Sequence, residues 1–325
     1  MAKCLMKIFS AGLLLLAPLT ALAQQAGKVP RVGVIMTGAP KTHAPVVKWL
    51  RQGLLELGYV EGRNIILEPR YAMRKRSRLP KLAKELLGLK VDVIVVTGAT
   101  AARVTRKASP SIPIVVASAG DLVGSGIVAS LARPGGNTTG NTGYSGQLAG
   151  KQLQLLKEAL PPLKRVAVLY STATRRYIFE RYKAAGRVLD IEIQEFGVAD
   201  QKAFNGAFAA MAKARADALI LIVSRLTSVN RRDLIKLAAK GKLPTMCWRP
   251  SMARAGCLMS YGADRNEMYR RAATFVHKIL KGAKPADLPV QQPTKFDFVI
   301  NLETAKALSI TFPRTILLRA DKVIE

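Results

Sequence analysis

Histidine, cysteine and acidic residues are all scarce in this chain, and each shortage removes a class of function. Histidine occurs only at His43 and His277. The two lie far apart in sequence and neither has a partner at ligand spacing, so no metal site is expected. Acids number 21 in 325 residues, scattered over helix faces, and no pair of carboxylates stands out as acid and base. The glycines at 120, 124 and 126 do not make G-x-G-x-x-G, the first strand's turn lacks that motif too, and no Walker sequence occurs, so no cofactor is expected. Gly143-Tyr144-Ser145-Gly146 does not meet the G-x-S-x-G frame of a nucleophile elbow. An enzyme is therefore not expected. Beyond the first 23 residues no stretch has 18 uninterrupted apolar residues, so the body carries no membrane-span signal. Of three cysteines, Cys4 precedes the first apolar run, which leaves Cys247 and Cys257 ten residues apart. They are candidates for a disulfide, but sequence does not fix whether their Cβ atoms face each other.

What the chain does have begins at its start. Lys3 and Lys7 precede a mostly apolar run over 8–19, and Ala21 and Ala23 then place small residues two apart before Gln24. This is the pattern of a secretory signal peptide over 1–23, cleaved near Ala23, and it predicts a periplasmic protein. Export also suits a disulfide. Lysine and arginine total 51 against the 21 acids, a net charge of +30. Such an excess favours anionic partners. The basic residues are spread along many helix faces, with one dense run at Arg74-Lys75-Arg76-Ser77-Arg78. They are not gathered with aromatics on one element, so no nucleic-acid partner is expected. A solvated basic surface, attraction to an anionic membrane or wall, and steering of an anionic solute remain open as reasons for the charge.

Strand and helix signals alternate along the chain. Short runs at 32–36, 64–71, 91–96, 113–117, 165–170, 191–196, 218–223, 244–248, 257–261 and 296–300 read as strands, most of them apolar enough to be buried. Helical stripes lie between them, as at 45–59, 79–89, 201–215 and 264–281. Near-continuous apolar strands suit parallel sheets covered on both faces. Eight glycines and Pro134 fall within 120–146 and break the rhythm, which predicts loops and a crossing near 141–145. The expected fold is α/β, two doubly wound Rossmann-like lobes joined by a hinge. Lobe 1 takes 29–142 plus about 264–283 and lobe 2 takes 144–260. Residues 284–325 form a C-terminal tail packing on the lobes and hinge.

In open α/β sheets a ligand sits beyond the carboxyl ends of the strands. Those ends carry Thr37, Thr97, Gly98, Ala99, Thr100, Ser118, Asp121, Tyr170, Ser171, Arg225 and Trp248, and Tyr144 and Tyr261 add two aromatics. Together these are the candidate ligand-binding residues. Gly98-Ala99-Thr100 is the best helix start for a carboxylate, because small residues permit close approach. Each hydroxyl is equally able to be an N-cap, and each aromatic equally able to be core packing. Arg225 and Arg249 follow buried strands and are placed to grip a carboxylate or to face solvent.

Several segments then point to one family. Leu50-Arg51-Gln52-Gly53-Leu54 running on to Leu57-Gly58-Tyr59-Val60-Glu61-Gly62-Arg63-Asn64-Ile65 resembles the start of the ABC transporter substrate-binding proteins of the tryptophan/tyrosine-type uptake group. Val91-Asp92-Val93-Ile94-Val95, Ala132-Arg133-Pro134-Gly135-Gly136-Asn137, Leu258-Met259-Ser260-Tyr261-Gly262 and Lys284-Pro285-Ala286-Asp287-Leu288-Pro289-Val290 match the same group, as does Leu317-Leu318-Arg319-Ala320-Asp321. The resemblance implies a type I periplasmic-binding fold. It also implies capture of a small organic solute, carboxylate-bearing or aromatic, by hinge closure for an ABC permease in the membrane. The protein is read as a monomer; a periplasmic sensor without transport would share the same cleft. Gly98-Ala99-Thr100 departs from the family's Gly-Thr-Pro, and Cys247, Trp248 and Arg249 replace a more apolar stretch. These departures leave the binding role intact and put an amino-acid ligand in question.

Overall fold

The computed structural model describes residues 28–143, 148–173 and 177–325. The export segment read at 1–23 and Tyr144 lie outside them. Strands β1 (Arg31–Met36), β2 (Ile66–Tyr71), β3 (Val93–Thr97), β4 (Ile114–Ala119) and β5 (Thr138–Thr142) form one sheet in the order β2-β1-β3-β4-β5. Every pairing in it is parallel. Strands β6 (Arg165–Ser171), β7 (Glu192–Val198), β8 (Ala218–Leu221), β9 (Thr245–Cys247), β10 (Met259–Ala263), β11 (Phe296–Asn301) and β12 (Lys322–Ile324) form a second sheet in the order β12-β11-β10-β9-β8-β6-β7. There the single reversal is between β10 and β11, which run antiparallel. The expected α/β architecture of two parallel-sheet lobes is the one observed.

Side-chain alternation explains why these strands are apolar throughout. In β3, Val93 and Val95 enter the core on one face while Ile94 and Val96 enter the core on the other. In β6, Val166 and Val168 point one way and Ala167 and Leu169 the other. A strand covered on both sides has no polar face to spare. Each Val, Leu or Ile so buried contributes roughly 1.5–3 kcal/mol.

The chain passes between the lobes at three places. The first follows β5. The second follows β10, where helix Arg265–Leu280 leaves the second sheet and buries Tyr269, Ala272, Phe275 and Val276 in the core of the first. Asp264 starts this helix by accepting from Asn266 N (2.9 Å) and Glu267 N (3.2 Å), which satisfies two of the donors a helix start leaves open. The third follows the segment around Leu288, whose carbonyl accepts from Thr139 Oγ1 at 2.6 Å before the chain returns as β11. Fully buried Asn141 ties the crossings together. Its amide donates to Met268 O (2.9 Å) and its carbonyl accepts from Arg271 (3.2 Å).

Two strands were not foreseen. β5 reads Thr-Thr-Gly-Asn-Thr, yet all five residues are buried. Its polar side chains are tolerated because β4, Leu288 and the crossing helix accept or donate to them. The three-residue β12 is too short to signal itself. The first helix spans Pro40–Glu56, opening at Pro40 and retaining Pro45 inside it, five residues earlier than the stripe starting at Pro45 predicts.

Candidate functional site

The carboxyl ends of β1, β3 and β4 face the end of β9 across a cavity of about 450 Å³. From the first sheet come Thr37, Thr97, Gly98, Ala99, Ser118 and Asp121; from the second lobe come Ile178, Val223, Trp248 and Arg249; Arg265 and Met268 come from the crossing helix. A volume of this size suits a small organic molecule.

The lobe 1 wall is preorganised by the strand-to-helix turns. Thr97 Oγ1 accepts from Thr37 N at 3.3 Å, and Gly98 N donates to Ser118 O at 2.9 Å. Gly98 has φ +86°, a value that favours glycine, and precedes helix Ala99–Ala108 without a side-chain cap. The first N–H groups of that helix are therefore left to whatever enters. Asp121 Oδ1 accepts from Gly124 N at 2.8 Å.

The opposite wall depends on a bonded cysteine pair. Cys247 ends β9 and is joined to Cys257, with Cα atoms 6.4 Å apart and both residues fully buried. The bond closes a short loop that carries Trp248 and Arg249. Gly262 in β10 lets that loop come close, since a Cβ there would lie 2.1 Å from Trp248 O. The Arg249 guanidinium lies 5.8 Å from the Trp248 ring centre, and the Arg265 guanidinium lies 5.5 Å from that of Tyr269. Trp248 Nε1, Arg249 Nε and Arg265 Nε are buried without a hydrogen-bond partner. No ion pair joins Arg103, Arg249 or Arg265 to any carboxylate among the described residues.

Positive charges from both lobes meet here. Burial and then the neighbouring Arg265 lower the Arg249 pKa to about 10, so the group stays charged at neutral pH. Burial, with Arg265, Arg249 and Arg74 around it, lowers the His43 pKa to about 4, and the imidazole is neutral at pH 7. Arg225 of lobe 2 reaches across to donate to Arg74 O at 3.3 Å. Among the described residues no group of three His, Cys, Asp or Glu side chains gathers to hold a metal.

Of the residues expected from sequence, Thr37, Thr97, Gly98, Ala99, Ser118, Asp121 and Trp248 line the cavity. Thr100 does not; its hydroxyl accepts from Arg76 at 3.1 Å. Tyr170 stacks on Phe179 at 6.1 Å and donates to Glu195. Ser171 is buried and accepts from Ala173 N at 3.4 Å. Tyr261 stacks on Phe296 at 5.3 Å beside the lobe 2 core. Arg225 bridges the lobes outside the cavity wall. Arg103, Arg265 and Met268 line the cavity and were missed. Arg265 opens a helix that follows a strand, the same signal that marked the other edges.

The family model described as ABC transporter substrate binding protein matches residues 32–324. A curated tyrosine-binding protein of Clostridioides difficile is 25% identical over 261 residues, covering 80% of this chain and 75% of that protein. A Streptococcus pneumoniae ABC domain solved in complex with L-Trp is 25% identical with a TM-score of 0.81, covering 91% of this chain and 99% of that one. A conserved domain protein of Vibrio cholerae is 27% identical with a TM-score of 0.80, over 91% of this chain and all of that one.

Proposed function

Given that this chain belongs to the ABC transporter substrate binding protein family, we propose that it captures a small carboxylate-bearing organic solute outside the cytoplasm and presents it to an ABC permease. The carrying observation is the cavity between the strand ends of two lobes, with buried arginine and indole donors on its wall that have no partner. Unpartnered buried donors cost free energy until something accepts from them. A solute carboxylate does so, and touching both lobes it favours the closed arrangement. The tyrosine and L-Trp of the two relatives support a solute that joins a carboxylate to an apolar body. Trp248, Ile178, Val223 and Met268 supply the apolar wall for such a body. The role is binding, with no bond made or broken. The segment 1–23 directs export, and the Cys247–Cys257 bond fits an oxidising compartment. The mature protein acts as a monomer whose lobes, 29–142 with 264–283 and 144–260, rock about the crossings.

The test is to release the solute from purified protein, identify it by mass spectrometry and add it back. Its return shrinks the radius of gyration in X-ray scattering and raises the melting temperature. Trp248→Ala weakens its binding by about tenfold, equivalent to about 1.4 kcal/mol, and leaves the melting of the solute-free protein in place. Unchanged affinity would move the site elsewhere, and a protein whose dimensions and melting ignore every solute would end the reading.

A further inference from the structure

The cavity wall has an imbalance of charge that a singly charged solute does not cancel. Arg103, Arg249 and Arg265 line it, against Asp121 as the sole lining carboxylate among the described residues. Asp121 is already engaged, accepting from Gly124 N at 2.8 Å. The segments outside the described residues contain no Asp or Glu, so no further acid is available from them. Arg249 and Arg265 are half-buried and Arg103 is exposed, and guanidinium groups crowded on one wall favour a counter-charge that hydrogen-bonds to them.

The arginines fall into two groups. Arg249 and Arg265 belong to one group: Arg265 is among the charges that lower the Arg249 pKa, and both are among those that lower that of His43. Each also has a buried, unpartnered Nε. Arg103 belongs to the first lobe, on the wall opposite Arg249. It sits one turn into helix Ala99–Ala108, beyond the uncapped start at Gly98 and Ala99, and donates to Ser125 O at 2.8 Å. The cavity thus has one positive pole at Arg249 and Arg265, and a second at the helix start and Arg103. Apolar side chains, Ile178, Val223 and Met268 among them, complete the wall.

We propose that the solute is an organic dicarboxylate with an apolar middle, one carboxylate held by Arg249 and Arg265 and the other at the Gly98–Ala99 helix start beside Arg103. This rests on the capture role proposed above and narrows it. An α-amino acid is less well matched, because its ammonium adds a positive charge to a wall that carries three arginines and one carboxylate among the described residues. Fork-shaped guanidinium groups match carboxylate oxygens two at a time, and N–H groups at a helix start accept an anion without a side chain.

Calorimetry on the full chain, stripped of solute by unfolding and refolding, tests this with matched probes: terephthalate against benzoate, adipate against hexanoate, then phenyl phosphate, L-tyrosine and L-tryptophan. Each dicarboxylate is expected to bind at least tenfold tighter than its monocarboxylate partner and than either amino acid, with a steeper loss in salt. Arg103→Gln should bring the dicarboxylate's affinity down to that of its monocarboxylate partner. Arg249→Gln should weaken both. Equal or tighter binding of a monocarboxylate or an amino acid overturns the proposal while leaving capture standing, and tighter binding of phenyl phosphate overturns the two-pole arrangement. If no probe binds, the solute captured from a cell extract decides. A dicarboxylate by mass spectrometry supports the proposal and any other charge overturns it. Absence of any captured solute, with scattering dimensions unchanged, overturns the capture role itself.

Discussion

Removing the Cys247–Cys257 bond separates stability from site geometry. The bond spans a sequence separation of 10, and closing so short a loop in the unfolded chain is worth roughly 3 kcal/mol in the chain-entropy account. Both cysteines are fully buried in the lobe 2 core with Leu219, Leu234 and Met252. Alanine at both positions adds about 1 kcal/mol for the space two sulfurs leave. A chain of this size unfolds with an entropy near 0.6 kcal/mol per kelvin, so a loss of about 4 kcal/mol lowers the melting temperature by about 7 °C. The loop does not come free altogether. Asn301 still donates to Ala253 O at 2.7 Å and Thr304 to Gly256 O at 3.3 Å. The part released is the stretch carrying Trp248 and Arg249. Re-ordering one or two residues on binding costs about 1–2 kcal/mol each, which predicts a loss of solute affinity of about tenfold or more. Trp49 lies in lobe 1 and Trp248 in lobe 2. Fluorescence of the double alanine variant in a Trp49→Phe background therefore reports on lobe 2 alone. A melting midpoint within 1 °C of the parent, with unaltered affinity, would refute the argument that this bond holds the wall in place.

Two further outcomes follow from single positions. Gly262→Ala places a Cβ against Trp248 O, where the neighbour is main chain and cannot swing away. Overpacking of this kind costs about 1–3 kcal/mol, so calorimetry should show lower stability and weaker solute binding together. His43 has its pKa lowered from 6.5 to about 4 by burial and by Arg265, Arg249 and Arg74. The folded protein then refuses a proton that the unfolded chain accepts. Its contribution is present in full above pH 6.5 and is lost as pH falls through 4. The ceiling is about 3 kcal/mol, cut to about 1 kcal/mol because solvent reaches the partly buried ring. His43→Gln should flatten the fall in melting temperature between pH 6.5 and 4, and parallel curves for the two proteins would contradict the assignment.

The strands legible in the sequence are those with no polar face. Val93 to Val96 alternate between two cores and read as one apolar run. β5 is equally buried and gave no such signal, because its threonines and Asn141 are satisfied by groups distant in sequence, such as Leu288 O and Met268 O. The site divides similarly. Residues that end a strand, such as Thr37, Thr97, Ser118 and Trp248, sit on the cavity wall because the strand's direction puts them there. Tyr170 and Tyr261 were drawn to the cleft by chemistry alone. Their strand parity places them with Val166 and Val168, and with Met259, on the face of the lobe 2 core. Arg103 gave no such signal because helix geometry, not a strand end, carries it into the cavity, whereas Arg265 does follow the end of β10.

The positive balance of the chain acquires a local meaning once its acids are located. Glu68 pairs with Arg31 and Arg70, Glu61 with Arg51, Glu56 and Glu267 with Arg270, and Glu158 with Arg319. These pairs are all partly exposed, where each contributes little stability, but they engage carboxylates away from the cavity. Arg249 and Arg265 are left with one another. A field from a net charge of +30 raises the encounter rate of any anion, and salt screens it within about 10 Å. Steering of that kind treats acetate, phosphate and a dicarboxylate alike. Choice among them has to come from fixed donors at fixed separations, which is what the Gly98 turn supplies on one wall and the Cys247–Cys257 loop on the other.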